Sequence, residues 1–234
     1  MHIEGSKENR IGGNNKLNSV TEYHLEELQA AQDASDDRRI NPSFKEHQKA
    51  ILDIGCGIGQ TFIGTGIYKD PERHLIGIDI DIEQLRYGKS HYGNVTYINS
   101  SGDSLPIVTN SMDLVFSRVS LPYVHIPTAI KEISRVLKID GEIWITLHPF
   151  EMTLKHLWQS LKSFHYKDVI FRSYVILNGF LLHFFGTLIR FPVKGIYESF
   201  QTEKAIRSLL EKEHFANIEI VREGHFLVRA VKKA

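Results

Sequence analysis

The stretch ILDIGCGIGQ at residues 51–60 restricts the possible folds of this chain more than any other. A four-residue apolar run ends in glycines at 55, 57 and 59, and TFIGTGIY follows. Such a run, closed by glycines, reads as a buried strand entering a tight turn. Glycine takes up φ > 0 there and lets other groups approach the main chain closely. Beyond the turn, strand-like and helix-like segments alternate: LIGID, IEQLRYGKSHY, VTYINS, MDLVFS, PTAIKEISRVL and EIWITLHP. In PTAIKEISRVL, Pro127 stands at a first helical position, and Ile130, Ile133, Val136 and Leu137 recur at spacings of three and four. This alternation predicts an α/β fold with a parallel sheet covered by helices. After Gly195 come a helix (TEKAIRSLLEKEHF) and two strands (IEIVRE and HFLVRAVKK) joined through Glu223-Gly224, which is short enough for an antiparallel pair.

Composition narrows the function classes. Lys+Arg and Asp+Glu both number 28, so no net positive charge favours a nucleic-acid partner. A single cysteine, Cys56, excludes an intrachain disulfide framework and fits a reducing, cytoplasmic setting. The N-terminal residues are polar and lack a signal-peptide core. The histidines show no tight metal spacing, and no metal is expected. The organisation reads as a tail and helix over 1–45, a core over 46–150, a helical insertion over 151–197 and closing elements over 198–234. Residues 20–32 (VTEYHLEELQAAQ) read as a helix with Thr21 as its cap.

Three features in order point to a nucleoside-like ligand. A strand, a glycine turn and a helix start offer backbone N–H groups to a ligand. The glycines are spaced G-x-G-x-G, with Gln60 where a dinucleotide fingerprint needs glycine, which disfavours an oxidoreductase. Asp79 ends the next strand, twenty residues past Gly59, where a carboxylate accepts ribose hydroxyls. Gly102-Asp103-Ser104 follows the third strand, with an Asp side chain and a backbone N–H suited to an adenine edge. Each has a plain alternative: a tight turn, a capping carboxylate (a job Asp81 is also placed to do), or an Asx turn before Pro106.

In this order, ILDIGCGIGQ, IGID, GDSLP with NSMDLVFSRVSLPYV, and EISRVLKIDGEIWIT resemble the motifs of class I S-adenosylmethionine-dependent methyltransferases, of the small single-domain, type 11-like group. The resemblance covers 45–150 and 198–232, but not 1–40 or 151–197. It implies a Rossmann-like sheet of seven strands, mostly parallel with an antiparallel last strand, helices on both faces and a helical cap insertion. It also implies S-adenosylmethionine as cofactor and S-adenosylhomocysteine as product. By that resemblance Asp53, Gly55, Cys56, Gly57 and Gly59 surround the methionine part, Asp79 holds the ribose with Ile80 beside the adenine, Asp103 and Ser104 bind the adenine edge, and Ser117 lies near the amino-acid end. His125 and His148, in loops after the fourth and fifth strands, are the candidate bases, with Arg118, Tyr123 and Tyr23 on the acceptor side. No thiol stands in those loops, which disfavours C5 methylation of pyrimidines, and one cysteine disfavours arsenic methylation. SLPY at 120–123 reads as a helix-entry turn. A non-catalytic nucleoside-binding protein of the same fold is the alternative to an enzyme.

The acceptor is expected from the insertion. Residues 153–166 read as one helix and 174–193 as another, with a broad apolar face and a polar stripe through Gly179, His183, Gly186, Thr187 and Arg190. Three placements compete for 174–193: a cap helix packed on the domain, an interfacial helix touching a membrane, or a transmembrane span, the last disfavoured by Asn178, His183 and Arg190. Either of the first two predicts a small-molecule or lipid-like acceptor with substantial apolar surface.

Overall fold

The computed structural model describes residues 40–193 and 195–234, together with Glu26, Leu28 and Gln29. Seven strands form one sheet: β1 (Ala50–Ile54), β2 (His74–Asp79), β3 (Val95–Asn99), β4 (Met112–Arg118), β5 (Leu137–Leu147), β6 (Phe215–Val221) and β7 (Phe226–Lys232). Their order is β3-β2-β1-β4-β5-β7-β6. Strands β1 to β5 pair in parallel, and β7 runs antiparallel to both β5 and β6. The helices are α1 (Gln60–Gly64), α2 (Ile82–His91), α3 (Ile126–Val136), α4 (Phe150–Lys162), α5 (Tyr166–Phe185) and α6 (Glu203–Lys212). The expected Rossmann-like sheet, with its antiparallel last strand, is therefore the one observed.

The sequence forms this sheet because the central strands are apolar on both faces, as a doubly covered parallel sheet requires. Residues 51–54 of β1 are all buried. One face carries α3 and α6, whose Ile126, Ile130, Ile133, Ile206 and Leu210 share a cluster with Leu52, Val115 and Ile145. On the other face Phe62 and Phe116 meet edge to face at 5.4 Å, in a cluster with Ile51, Leu75 and Trp144. Strand order reverses beside β1, so the crevice for a ligand opens at the carboxyl ends of β1 and β4. Strand β5 begins before the EIWITLHP segment, and Asp140-Gly141 forms a bulge inside it. Asp140 has φ 62°, and pairing steps from Met112↔Leu137 to Leu114↔Glu142.

The insertion corrects two expectations. Its helices span Phe150–Lys162 and Tyr166–Phe185, not 153–166 and 174–193. Gly186, in the left-handed region at φ 64°, ends α5, and 187–193 contains no regular element. The broad apolar face of α5 also does not pack on the domain. The buried residues are Tyr174, Val175, Asn178, Gly179 and Leu182, while Leu177, Phe180, Phe184 and Phe185 are exposed. Gly179 is the reason the polar stripe turns inward: a Cβ there would stand 2.1 Å from the Phe200 ring. Asn178 adds three hydrogen bonds to the chain that follows. The helix read over 20–32 lies largely outside the described residues; within it, Leu28 is buried with Ile58 and Ile63, behind the glycine turn.

Candidate active site

A cavity of about 480 Å³ opens at the carboxyl end of the sheet, within the range of small-molecule sites. Its floor is Ile54, Gly55 and Ile78, one wall is Asp79, Ile80 and Ser100–Asp103, the other is Ser120, Tyr123 and Val124, and Arg190, Gly195, Ile196 and Tyr197 close it from the insertion.

The glycine turn is shaped by protein neighbours as well as by any ligand. Gly55 has φ 76°, and a Cβ there would lie 2.0 Å from the Ser120 hydroxyl, which donates to the Ile54 carbonyl at 2.5 Å. At Gly59, φ 89°, a Cβ would meet the Tyr97 hydroxyl at 2.5 Å; that hydroxyl donates to the Ile58 carbonyl at 2.8 Å. Asp79 locks the turn to the end of β2. One carboxylate oxygen accepts the Gly57 N–H at 2.8 Å and the other accepts the Asp81 N–H at 2.9 Å. Each oxygen has a second lone pair, so the carboxylate can still receive two hydroxyl donors from the cavity. Asp81 caps α2, accepting from the Glu83 and Gln84 N–H groups. Asp103 accepts the Ser101 hydroxyl at 2.6 Å and the His125 N–H at 3.3 Å.

Of the residues expected at the site, Gly55, Asp79, Ile80, Asp103 and Tyr123 line this cavity. Asp53, buried in β1, and Cys56, Gly57 and Gly59 of the turn are not among the lining residues. Ser104 is exposed, and its N–H donates to the Ser101 carbonyl within its own turn rather than facing an adenine edge. Ser117 is fully buried behind Ser120, bonded to that hydroxyl and to the Ile54 carbonyl. Tyr23 lies outside the described residues. Ser120, Tyr197 and Arg190 were not expected at the cavity. Ser120 carried no spacing signal beyond its place after β4, Arg190 sits on an irregular stretch that periodicity read as helix, and Tyr197 lies just past the end of that reading.

The ionisable groups behind the cavity are tuned by burial. Burial pushes the Asp53 carboxyl well above the usual carboxylate range, against the opposing pull of the Arg118 charge. Burial likewise pushes the Cys56 thiol up, and its sulfur packs where a Cβ at Gly77 would stand, so Cys56 is a packing residue and a poor nucleophile. His125 caps α3, with Nδ1 at 2.7 Å from the Thr128 hydroxyl and its ring edge-on to Tyr197. His148, 7% exposed, meets Tyr123 edge to face at 5.4 Å. Burial, then the nearby His156 and Arg172, lower its pKa from 6.5 to about 4. The unfolded chain takes up a proton below pH 6.5 that the folded protein refuses until about pH 4, so stability is lost across that window as pH falls. Urea unfolding at about pH 7 and about pH 4.5 is expected to show a loss that His148→Gln reduces by about 2 kcal/mol.

Comparison with known proteins bears on the same residues. A family model described as a methyltransferase domain matches residues 52–145. Over these residues the chain is similar to a methyltransferase domain. A malonyl-[acyl-carrier protein] O-methyltransferase of Hahella chejuensis is 36% identical over 98 residues, 40% of this chain and 34% of that protein. Phosphoethanolamine N-methyltransferase 1 of Zea mays is 26% identical over 176 residues, 70% of this chain and 34% of that protein. The chain thus spans about a third of the length of these curated relatives. In structure, the methyltransferase domain and its flanks superpose on a SAM-dependent methyltransferase of Methanosarcina mazei with a TM-score of 0.54 at 20% identity, covering 83% of this chain and 99% of that one. They also superpose on the putative methyltransferase bound to the Haloferax volcanii Trm112 activator, with a TM-score of 0.60 at 14% identity, covering 92% and 98%. At these identities the structures report the fold alone.

The methyltransferase match over 52–145 implies S-adenosylmethionine as cofactor, and the cavity residues suit it. The Asp79 carboxylate keeps lone pairs facing the cavity, Asp103 offers an acceptor beside the apolar Ile80 and Val124, and bare main chain at Gly55 forms the floor. Among the described residues no group of three His, Cys, Asp or Glu side chains is placed to hold a metal ion.

Proposed function

We propose that this protein transfers a methyl group from S-adenosylmethionine to a small-molecule or lipid-like acceptor with substantial apolar surface. The observation that carries the proposal is the cavity at the carboxyl strand ends, with Asp79 and Asp103 on one wall and the insertion closing it. The bound sulfonium supplies an activated methyl group, so the residues of the chain have to align an acceptor and exclude water. Asp79 would hold the ribose hydroxyls and Asp103 the adenine amino group. Ile196 and Tyr197 roof that end of the cavity, while Tyr123 and Ser120 face the acceptor.

The histidines narrow the acceptor class. His148 is neutral at physiological pH, but its lowered pKa of about 4 makes it a weak proton acceptor, and it lies behind Tyr123. Its part is to orient the Tyr123 ring. A weak base suits nucleophiles that need placement more than deprotonation, such as an amine. The relatives named above act on a carrier-bound malonyl group and on phosphoethanolamine, so acceptor choice is assigned to the insertion, which lies outside the matched 52–145.

Calorimetric titration with S-adenosylhomocysteine tests the cofactor assignment. Asp79→Ala is expected to weaken binding by about 1–3 kcal/mol, and unchanged affinity would remove the ribose role. Methyl transfer to amphiphilic amines, followed by release of S-adenosylhomocysteine, tests the reaction. Tight binding without turnover on any such acceptor would favour a non-catalytic nucleoside-binding protein.

A further inference from the structure

Helix α5 is amphipathic in the reverse sense for a helix packed on a soluble domain. Its polar stripe is bonded inward, and a continuous stripe of Tyr166, Ile170, Leu177, Phe180 and Phe184 faces outward, interrupted only by Ser173. Only 28% of its most apolar 18-residue stretch is buried inside the protein, and by length and composition the helix could cross a membrane. It is nevertheless tied flat against the domain by Asn178 and by the contact of Gly179 with Phe200. Beside it, α4 exposes Leu154, Trp158 and Leu161 at spacings of four and three, and Phe164 in the connecting turn is 92% exposed. Among the described residues nothing covers this apolar surface, and one of this extent marks an interaction site.

Charge identifies the occupant. Residues 150–195 carry six lysines and arginines against two acids, a net +4 in a chain whose total is zero. Lys162 lies over the Trp158 ring at 5.4 Å and Lys167 over the Tyr166 ring at 6.0 Å, so cations accompany the interfacial aromatics. A second copy docking through the same face would bring the exposed Lys155, Lys162 and Lys167 of both copies together across a two-fold axis. A partner helix in a coiled coil would want charged flanks beside the stripe, but Val169, Ile176 and Leu181 stand there. Apolar anchors with a cationic surround match an anionic lipid surface, as on a cytoplasmic leaflet. We propose that the α4–α5 hairpin docks this protein, with α5 in the plane of the interface, on an anionic lipid bilayer. The surface is continuous with the segment that closes the cavity, where Val193 is 85% exposed and Arg190 lines the interior. Docking itself is independent of the methyl-transfer reading; delivery of an acceptor from the bilayer rests on it.

The test is co-sedimentation of the full chain with phosphatidylcholine vesicles, either pure or containing about a third phosphatidylglycerol. The wild type should pellet with the anionic vesicles and at least about tenfold less with the neutral ones or at about 0.5 M salt. The variant Trp158→Ser/Leu177→Ser/Phe184→Ser should lose association at least about tenfold while S-adenosylhomocysteine affinity stays within about twofold. No association at low salt, or association undiminished in the triple variant, overturns the proposal. So does sedimentation velocity showing a wild-type dimer that the same substitutions convert to monomer, because the face would then join two copies. The methyl-transfer reading fails separately, through absent cofactor binding with vesicle association intact.

Discussion

Gly55→Ala is expected to destabilise the protein by about 2–5 kcal/mol and to cut S-adenosylhomocysteine affinity in parallel. Two costs combine. Holding a side chain at the left-handed φ of 76° costs about 1–2 kcal/mol, and overlap with Ser120 adds about 1–3 kcal/mol. The overlap is specific, because the added Cβ would stand 2.0 Å from the Ser120 hydroxyl and 2.2 Å from its Cβ. Ser120 is itself held in place, by the Ile54 carbonyl and by the buried Ser117 hydroxyl. A double-mutant cycle separates the two costs. Ser120→Gly in the Gly55→Ala background should restore the overlap share and leave the backbone share. Urea unfolding of the four proteins measures it, and a coupling energy near zero would mean that Ser120 does not set the need for glycine at 55.

That cycle also marks where sequence reasoning stopped. The glycine turn, the acid ending β2 and the acid after β3 were legible because each lies on a short-range pattern, strand then turn, that backbone chemistry alone imposes. Asp79 and Asp103 accordingly stand in the cavity wall. What was not legible was long-range. Gly59 faces Tyr97, 38 positions on, and Gly55 faces Ser120, 65 positions on, so the glycines answer to side chains that no local window contains. The insertion misled for a related reason. Periodicity reports that a helix has two faces but not which one is bonded to the domain. The polar stripe of α5 went inward because Asn178 and Gly179 have partners at Ile189, Glu198 and Phe200, beyond the helix itself. The helix end was signalled by Gly186, a glycine at a position that takes up φ 64°, but the apolar residues beyond it continued the pattern and masked the stop.

Asn178→Leu is expected to detach the segment that closes the cavity while leaving the sheet folded. Asn178 is fully buried. Its amide nitrogen donates to the Ile189 and Glu198 carbonyls at 2.9 and 3.1 Å, and its amide oxygen accepts the Ile189 N–H at 2.9 Å. One turn earlier the Tyr174 hydroxyl donates to the carbonyls of Ile189 and Ile196 at 2.9 and 3.1 Å. Two side chains of α5 therefore pin the segment at both ends of its reversal, and Gly195, Ile196 and Tyr197 face the cavity only because they are pinned. Leucine removes three hydrogen bonds and strands backbone groups that cost about 1–3 kcal/mol each when buried without partners. Because the segment can swing out and rehydrate those groups, the expected net loss is about 3–5 kcal/mol, confined to this region. Hydrogen exchange should show lost protection at the Ile189 amide with β1 and β4 unchanged. S-adenosylhomocysteine affinity should fall by about tenfold or more, in line with losing one wall of the site. Leu177→Ser, one residue away on the exposed face, should change stability by no more than about 0.5 kcal/mol. If Asn178→Leu raises exchange at Ile189 yet leaves affinity intact, the segment covers the cavity without contacting what binds there, and acceptor selection has to be sought at Tyr123 and Ser120 instead.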